Sequence, residues 1–246
     1  MFLYNRTMDK KIIMGVVTFA ILALAIGLMI PTTDTPGTQG FPWQIELTSE
    51  GTTRVFGVTL GVSSLQQAEQ LFHADAEISL FEPADKSLPR IVEAYFDKVN
   101  PGGLSAKVVA VIDIAPEQLQ LFYEQGARIN TLGVGSRRVT LNAENLDRVR
   151  AAPIASLTYL PRVRLDAALI EKRFGKPAQV VMEKVSESGK HHASKPVTES
   201  VKETNNKTMH WLYPDKGLDV ALDAQGQCVL QYVPPAKFDQ LRIPLE

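Results

Sequence analysis

At 246 residues, with 45% hydrophobic and 22% charged content, the chain has the length for one large domain or two small ones and the composition of a globular protein. A formal net charge of −1 removes the electrostatic case for nucleic acid, whose binders carry a basic stripe. The single cysteine, Cys228, excludes an intrachain disulfide and reads as a small buried hydrophobe in a strand rather than as a cross-link between chains.

Residues 12–30 form an apolar run without a charged residue, preceded by Arg6, Lys10 and Lys11. At 1.5 Å rise per residue such a run would make a helix of about 28 Å, near the thickness of a bilayer core. The expected organisation is therefore a cytoplasmic N-terminus (1–11), a transmembrane anchor (12–30) in the lipid bilayer and a linker (31–42) leading to an exported ectodomain. The excess of basic residues before the run sets that orientation. A cleavable signal peptide is the rival reading; the length of the run and the lack of a small-x-small site favour an anchor. The corresponding location is the bacterial inner membrane, single-pass, with the C-terminal domain in the periplasm.

In the ectodomain, 43–47 and 53–60 read as a hairpin across the turn Ser49-Glu50-Gly51-Thr52. Ser64 with Gln67 makes a capping box for a helix with Leu65, Ala68, Leu71 and Phe72 on one face. Segments 76–81 and 90–99 read as strands. Asn100-Pro101-Gly102-Gly103 is a turn that pairs 90–99 with the valine-rich 105–114. Pro116 opens a helix that presents Leu119, Phe122 and Tyr123 and ends at Gly126. A short strand at 137–141, a helix at 143–150 capped by Asn142, and a strand at 154–160 follow. Asp166 caps a helix carrying Leu169, Ile170 and Phe174, which Gly175 and Pro177 end. A strand at 178–185 leads into 186–207, which has no aromatic residue and almost no large apolar one and reads as a mobile loop. Runs 209–213, 218–222 and 228–233, joined by four-residue glycine turns, form an antiparallel meander. Its triplets Met209/Trp211/Tyr213, Leu218/Val220/Leu222 and Cys228/Leu230/Tyr232 would face the helix that Asp166 caps.

The stretches 71–78 and 173–180 echo one another weakly, each a helix ending in Phe followed by a turn and a strand opening on Ala. The expected fold class is accordingly α+β: a single N-terminal transmembrane helix, then antiparallel sheets with short packing helices, in two tandem units at 43–160 and 161–246. With its short helix, Phe174-Gly175-Lys176-Pro177 break and Trp211-Leu212-Tyr213-Pro214-Asp215-Lys216-Gly217-Leu218 hairpin, 165–233 resembles the SmpA/BamE-like lipoprotein domains and β-lactamase-inhibitor-like proteins. The whole chain also looks like single-pass bacterial envelope proteins without an assigned activity. The resemblance implies a non-catalytic binding module. It does not extend to a lipobox cysteine, which the chain lacks, or to the insert at 186–207.

No catalytic constellation stands out. His73 sits at a helix end, where a cationic imidazole suits the dipole. His210 would lie opposite Trp211, in solvent. His191 and His192, near Glu187 and Glu199, lack the rigidity and spacing of a zinc cage. Gly133-Val134-Gly135-Ser136-Arg137-Arg138 precedes a strand rather than the helix a phosphate loop needs, and reads as a flexible turn with exposed arginines. Asp113, Glu117, Asp166, Asp219 and Asp223 fall at turns, caps or alternating polar positions and form no acid–base pair. No catalytic, cofactor-binding or metal-binding residue is assigned. The expected function is a membrane-anchored, non-catalytic envelope scaffold that docks another envelope protein by a sheet face or edge, with His210, Leu212, Asp219, Ala221 and Gln231 on the docking face. A homo-oligomer is the other partner compatible with such a face. The alternatives are a sensor or carrier of a small ligand, and an enzyme of unrecognised type.

Overall fold

The computed structural model describes residues 40–132, 135–182 and 208–242. A small antiparallel meander comes first, made of β1 (Glu46–Leu47), β2 (Thr53–Val55) and β3 (Val58–Thr59). The β2–β3 turn requires positive φ at both Phe56 (54°) and Gly57 (81°), as in the hairpin turns whose twist matches that of their strands. Phe56 holds this conformation because its ring is buried against Tyr159 and Tyr232, at centroid distances of 4.9 and 5.7 Å. Ring burial of this kind outweighs the roughly 1–2 kcal/mol that a left-handed conformation costs a residue with a Cβ.

The main sheet comprises β4 (Glu77–Glu82), β5 (Ile91–Val99), β6 (Ala106–Ile112), β7 (Arg128–Thr131), β8 (Arg137–Thr140), β9 (Ile154–Pro161), β10 (Gln179–Met182), β11 (Met209–Tyr213), β12 (Leu218–Leu222) and β13 (Cys228–Tyr232). These ten strands are antiparallel neighbours in the order β10-β11-β12-β13-β9-β6-β5-β4-β8-β7. Period-2 alternation turns one set of side chains, such as Val92, Ala94 and Phe96 on β5, to a single buried core. Four short helices, α1 (Leu65–Phe72), α2 (Pro116–Glu124), α3 (Ala143–Ala151) and α4 (Ala167–Phe174), add to that core, together with Val55, Phe56 and Val58 of the meander and Leu60 just after it. Their starts follow the expected chemistry. Ser64 and Gln67 form the reciprocal capping box, Asn142 accepts from the Asn145 amide at 2.8 Å, and Asp166 accepts from the Leu169 amide at 2.7 Å.

On the opposite sheet face, the segment that ends in α5 (Asp239–Arg242) lies over one end, where Phe238 and Leu241 pack with Leu212, Val233 and Val181. The meander is fastened to this same end. The buried Thr53 hydroxyl lies 3.0 Å from the Val233 carbonyl and 3.2 Å from that of Lys216. Gly217, at φ 62°, passes so close that a Cβ there would stand 1.9 Å from the Val233 oxygen. Residues 40–42, expected as the end of a spacer, are instead seated in the body. Gly40 abuts the backbone of Gly102, and the Pro42 carbonyl accepts from the Tyr232 hydroxyl at 2.9 Å.

The expected fold class is corrected in two respects. The described residues are mostly antiparallel sheet with few helices, and apart from the small β1–β3 meander the strands expected in two tandem α+β units form one sheet. β9, at the end of the first expected unit, pairs with β6 on one side and with β13 of the second on the other. The echo between 71–78 and 173–180 therefore marks two helix–turn–strand passages within one sheet. The expected transmembrane helix is corrected as well: among the described residues no helix is long and apolar enough to cross a membrane. The longest have 9 residues, about 14 Å at helical rise, against a hydrocarbon core of about 30 Å. The segment 12–30 and the expected mobile loop 186–207 lie outside the described residues.

Candidate functional site

The five residues expected on a docking face share one face of the β11–β13 meander, but they do not form an exposed surface. Leu212 is buried under Phe238 and its neighbours, while Ala221 and Gln231 are half-buried. His210 is 9% exposed and Asp219 1%, where solvent was expected at His210. The two lie diagonally across β11 and β12, with His210 Nδ1 2.7 Å from Asp219 Oδ2. Such a pair orients an imidazole. The second carboxylate oxygen, Oδ1, is buried without a hydrogen-bond partner among the described residues.

The other residues singled out in the sequence stay apart. His73 is the left-handed C-terminal cap of α1, and His191 and His192 lie outside the described residues. Cys228 is buried in β13, and burial pushes its thiol up to about 11 against a hydrogen bond from the Leu165 backbone. It is therefore a packed thiol and not a nucleophile. Among the described residues no group of three or more His, Cys, Asp or Glu side chains is placed to hold a metal ion.

A different constellation occupies the opposite end of the sheet, where β4, β8 and β7 succeed one another. Glu82, at the end of β4, is buried, yet three cations reach it. Lys86 Nζ lies 2.6 Å from Oε2, Arg90 Nη2 2.7 Å from Oε1, and Arg137 Nη1 3.5 Å from Oε2. Burial by itself raises the carboxyl pKa. Hydrogen bonds from Lys86 and Arg90, the charge of Lys86 and the Tyr123 hydroxyl overcome it and hold Glu82 at about 2. Arg90 is further aligned over the Tyr123 ring, 4.3 Å from its centroid, and donates to Gln120 at 2.6 Å. Arg137 donates to the Tyr123 hydroxyl at 2.7 Å. One carboxylate thus orders three cations. A cleft of 420 Å³ opens beside it, lined by Lys86, Leu88, Arg90, Pro116 and Leu119.

β7 closes the sheet at this end. It pairs with β8 in the register Arg128↔Thr140, Ile129↔Val139, Asn130↔Arg138 and Thr131↔Arg137. The Leu132 amide donates to Ser136 at 2.8 Å, which sets the parity of the ladder. Asn130 turns its backbone groups toward β8, while Ile129 and Thr131 turn theirs outward. Outward from β7 there is no further strand among the described residues. Ile129 is 47% and Leu132 39% exposed, and Arg128, Arg137 and Arg138 are exposed as well. Sequence reasoning missed β7 because its four residues are too few for periodicity to register. The only signal was the β-branched Ile129 and Thr131 ahead of a glycine-containing turn and the 137–141 strand. The burial of Glu82 had no signal, since Lys86 and Arg90 follow it closely but Arg137 and Tyr123, which complete the network, come from distant parts of the chain.

No family model, curated protein or solved structure matches the chain.

Proposed function

We propose that this chain is a non-catalytic docking domain that binds another protein through an open sheet edge. The observation that carries this reading is β7, whose outward amides and carbonyls stand beside exposed Ile129 and Leu132. An unpaired edge of this kind is a template for another strand. It supplies main-chain hydrogen bonds for affinity and side-chain contacts at alternate positions for selectivity. The Glu82 network supports it from behind by fixing β4 and β8 against α2, so that the edge is presented on a rigid frame.

The test is photo-crosslinking of the full-length protein in its native cells, with the photoreactive residue at Ile129 and, as a control on the covered face, at Ala221. A reproducible heterologous adduct from position 129 is the expected result. Adducts to the same chain only, or none from either position, would overturn the reading. A second reading, a carrier of a small anionic ligand, draws on the 420 Å³ cleft beside Lys86 and Arg90. Thermal-shift screening of the full chain against small di- and tricarboxylates and phosphate esters checks it, and a flat response removes it.

A further inference from the structure

We propose that the β7 edge accepts an extended acidic segment of its partner as an additional strand, with acidic residues at alternate positions and apolar residues between them. This rests on the docking reading above and specifies the chemistry of the occupant.

Three features of the edge converge. The first is the backbone: Ile129 and Thr131 direct their N–H and C=O groups away from β8, so an incoming strand finds a donor–acceptor pair at every second residue. The second is apolar. The row Leu80, Val139, Ile129 runs out of the core across β4, β8 and β7 and ends on the exposed Ile129. An apolar residue of the added strand, set beside Ile129, would extend that row. The third is charge. Residues 127–132 and 135–142 contain Arg128, Arg137 and Arg138 and no acidic residue. Arg137 is engaged by Glu82 and Tyr123 on the core side. Arg128 and Arg138 stand on the opposite face, without an ion pair among the described residues. Glu77 and Glu93, on that same face, belong to β4 and β5, two and three strands in from the edge.

Since side chains alternate across a strand, these features translate into a pattern. Residues beside Arg128 and Asn130–Arg138 are acidic, and the residue between them, beside Ile129, is apolar. The same arginines select against a second copy of this chain, because an antiparallel β7–β7 pair would gather like charges along one face.

The experiment uses the full chain and fluorescein-labelled eight-residue peptides that alternate valine with glutamate or with lysine, followed by fluorescence anisotropy at low salt. The glutamate peptide is expected to bind at least tenfold more tightly than the lysine peptide. The double variant R128E/R138E is expected to lose at least tenfold for the glutamate peptide and to reverse the preference. Thr131→Pro removes an outward N–H without touching the β8 ladder, and should cost at least tenfold with an unchanged melting temperature. A glutamate peptide N-methylated at alternate residues, blocking its hydrogen-bonding edge, should fail to bind. Equal binding of the methylated peptide, or of Thr131→Pro, would overturn strand addition in favour of charge attraction alone. A concentration-dependent dimer that R128E/R138E strengthens and the glutamate peptide does not disrupt would overturn the choice of occupant. Capture of a cellular partner from position 129 by a β7 edge that shows no preference for the glutamate peptide would overturn the acidic strand and leave edge docking intact, whereas capture from position 221 but not 129, or no partner at all, removes both.

Discussion

The two ends of the sheet hold together by different physics. At the β10–β13 end, stability comes from apolar closure. The chain terminus folds Phe238 over Leu212 and Val233, the meander is bonded through Thr53, and Gly217 passes in backbone contact with Val233. Its outer strand, β10, carries no charge between Gln179 and Met182. At the β7 end the edge is open and basic, and the order behind it comes from a single buried carboxylate shared among Lys86, Arg90 and Arg137. The apolar cluster at the β10–β13 end covers Leu212 and Val233 on one face, while β10 itself ends the sheet with Val180 49% and Met182 48% exposed and no charge within the strand. An ionic frame, whose cations reach solvent, positions an edge and leaves it accessible. The difference explains why the residues expected to dock a partner, on the β11–β13 meander, are mostly covered, and why of the two edge strands only β7 is flanked by exposed arginines.

Substitutions graded by expected effect separate the two ends. The largest loss belongs to Gly217→Ala, which places a Cβ into the Val233 carbonyl at a left-handed φ; about 4 kcal/mol of unfolding free energy should disappear in urea titration. Phe238→Ala should cost about 3 kcal/mol by emptying the small apolar cluster. A loss below 1 kcal/mol would show that the terminal segment does not seal that face. Glu82→Gln comes next, at about 2 kcal/mol near neutral pH, low for a buried ion network because its cations are partly solvated.

The pH dependence of that last effect has a definite sign. Glu82 is held at about 2, below its ordinary 4.5, so the folded state binds its proton less readily than the unfolded chain. The stabilisation is complete above pH 4.5 and lost as pH falls toward 2. Denaturant midpoints of wild type and Glu82→Gln should therefore differ most at neutral pH and converge in acid, whereas Phe238→Ala should keep its deficit throughout. The smallest effect is at the open edge. Arg138→Ala should change stability by less than about 0.5 kcal/mol, because its side chain is exposed and makes no ion pair among the described residues. A larger loss would mean that the arginine serves the fold rather than a partner.

Much of the local structure was legible in the sequence. The hairpin of β5 and β6 across Asn100-Pro101-Gly102-Gly103 and the β11–β13 meander occur in antiparallel register as expected. So do the caps at Ser64, Asn142 and Asp166, because each depends on groups only a few residues apart. Gly126 was placed near the end of its helix for conformational reasons. In the structure Gln125 is the cap, and glycine is required because a Cβ at 126 would collide with the Val139 side chain. The candidate site was almost illegible. A four-residue strand gives too short an alternation, and Glu82 looks like any polar residue at the end of a strand.

The sequence by itself thus determined the helix starts, the tight turns and the strands that pair with their immediate neighbours, since those energies are set by adjacent residues. Only the tertiary structure decided that β9 joins β6 to β13, that β8 turns back against β4, and that β7 is left at the edge. These choices minimise exposed apolar area over the whole sheet. That quantity belongs to all the strands at once, and no local stretch of sequence carries it.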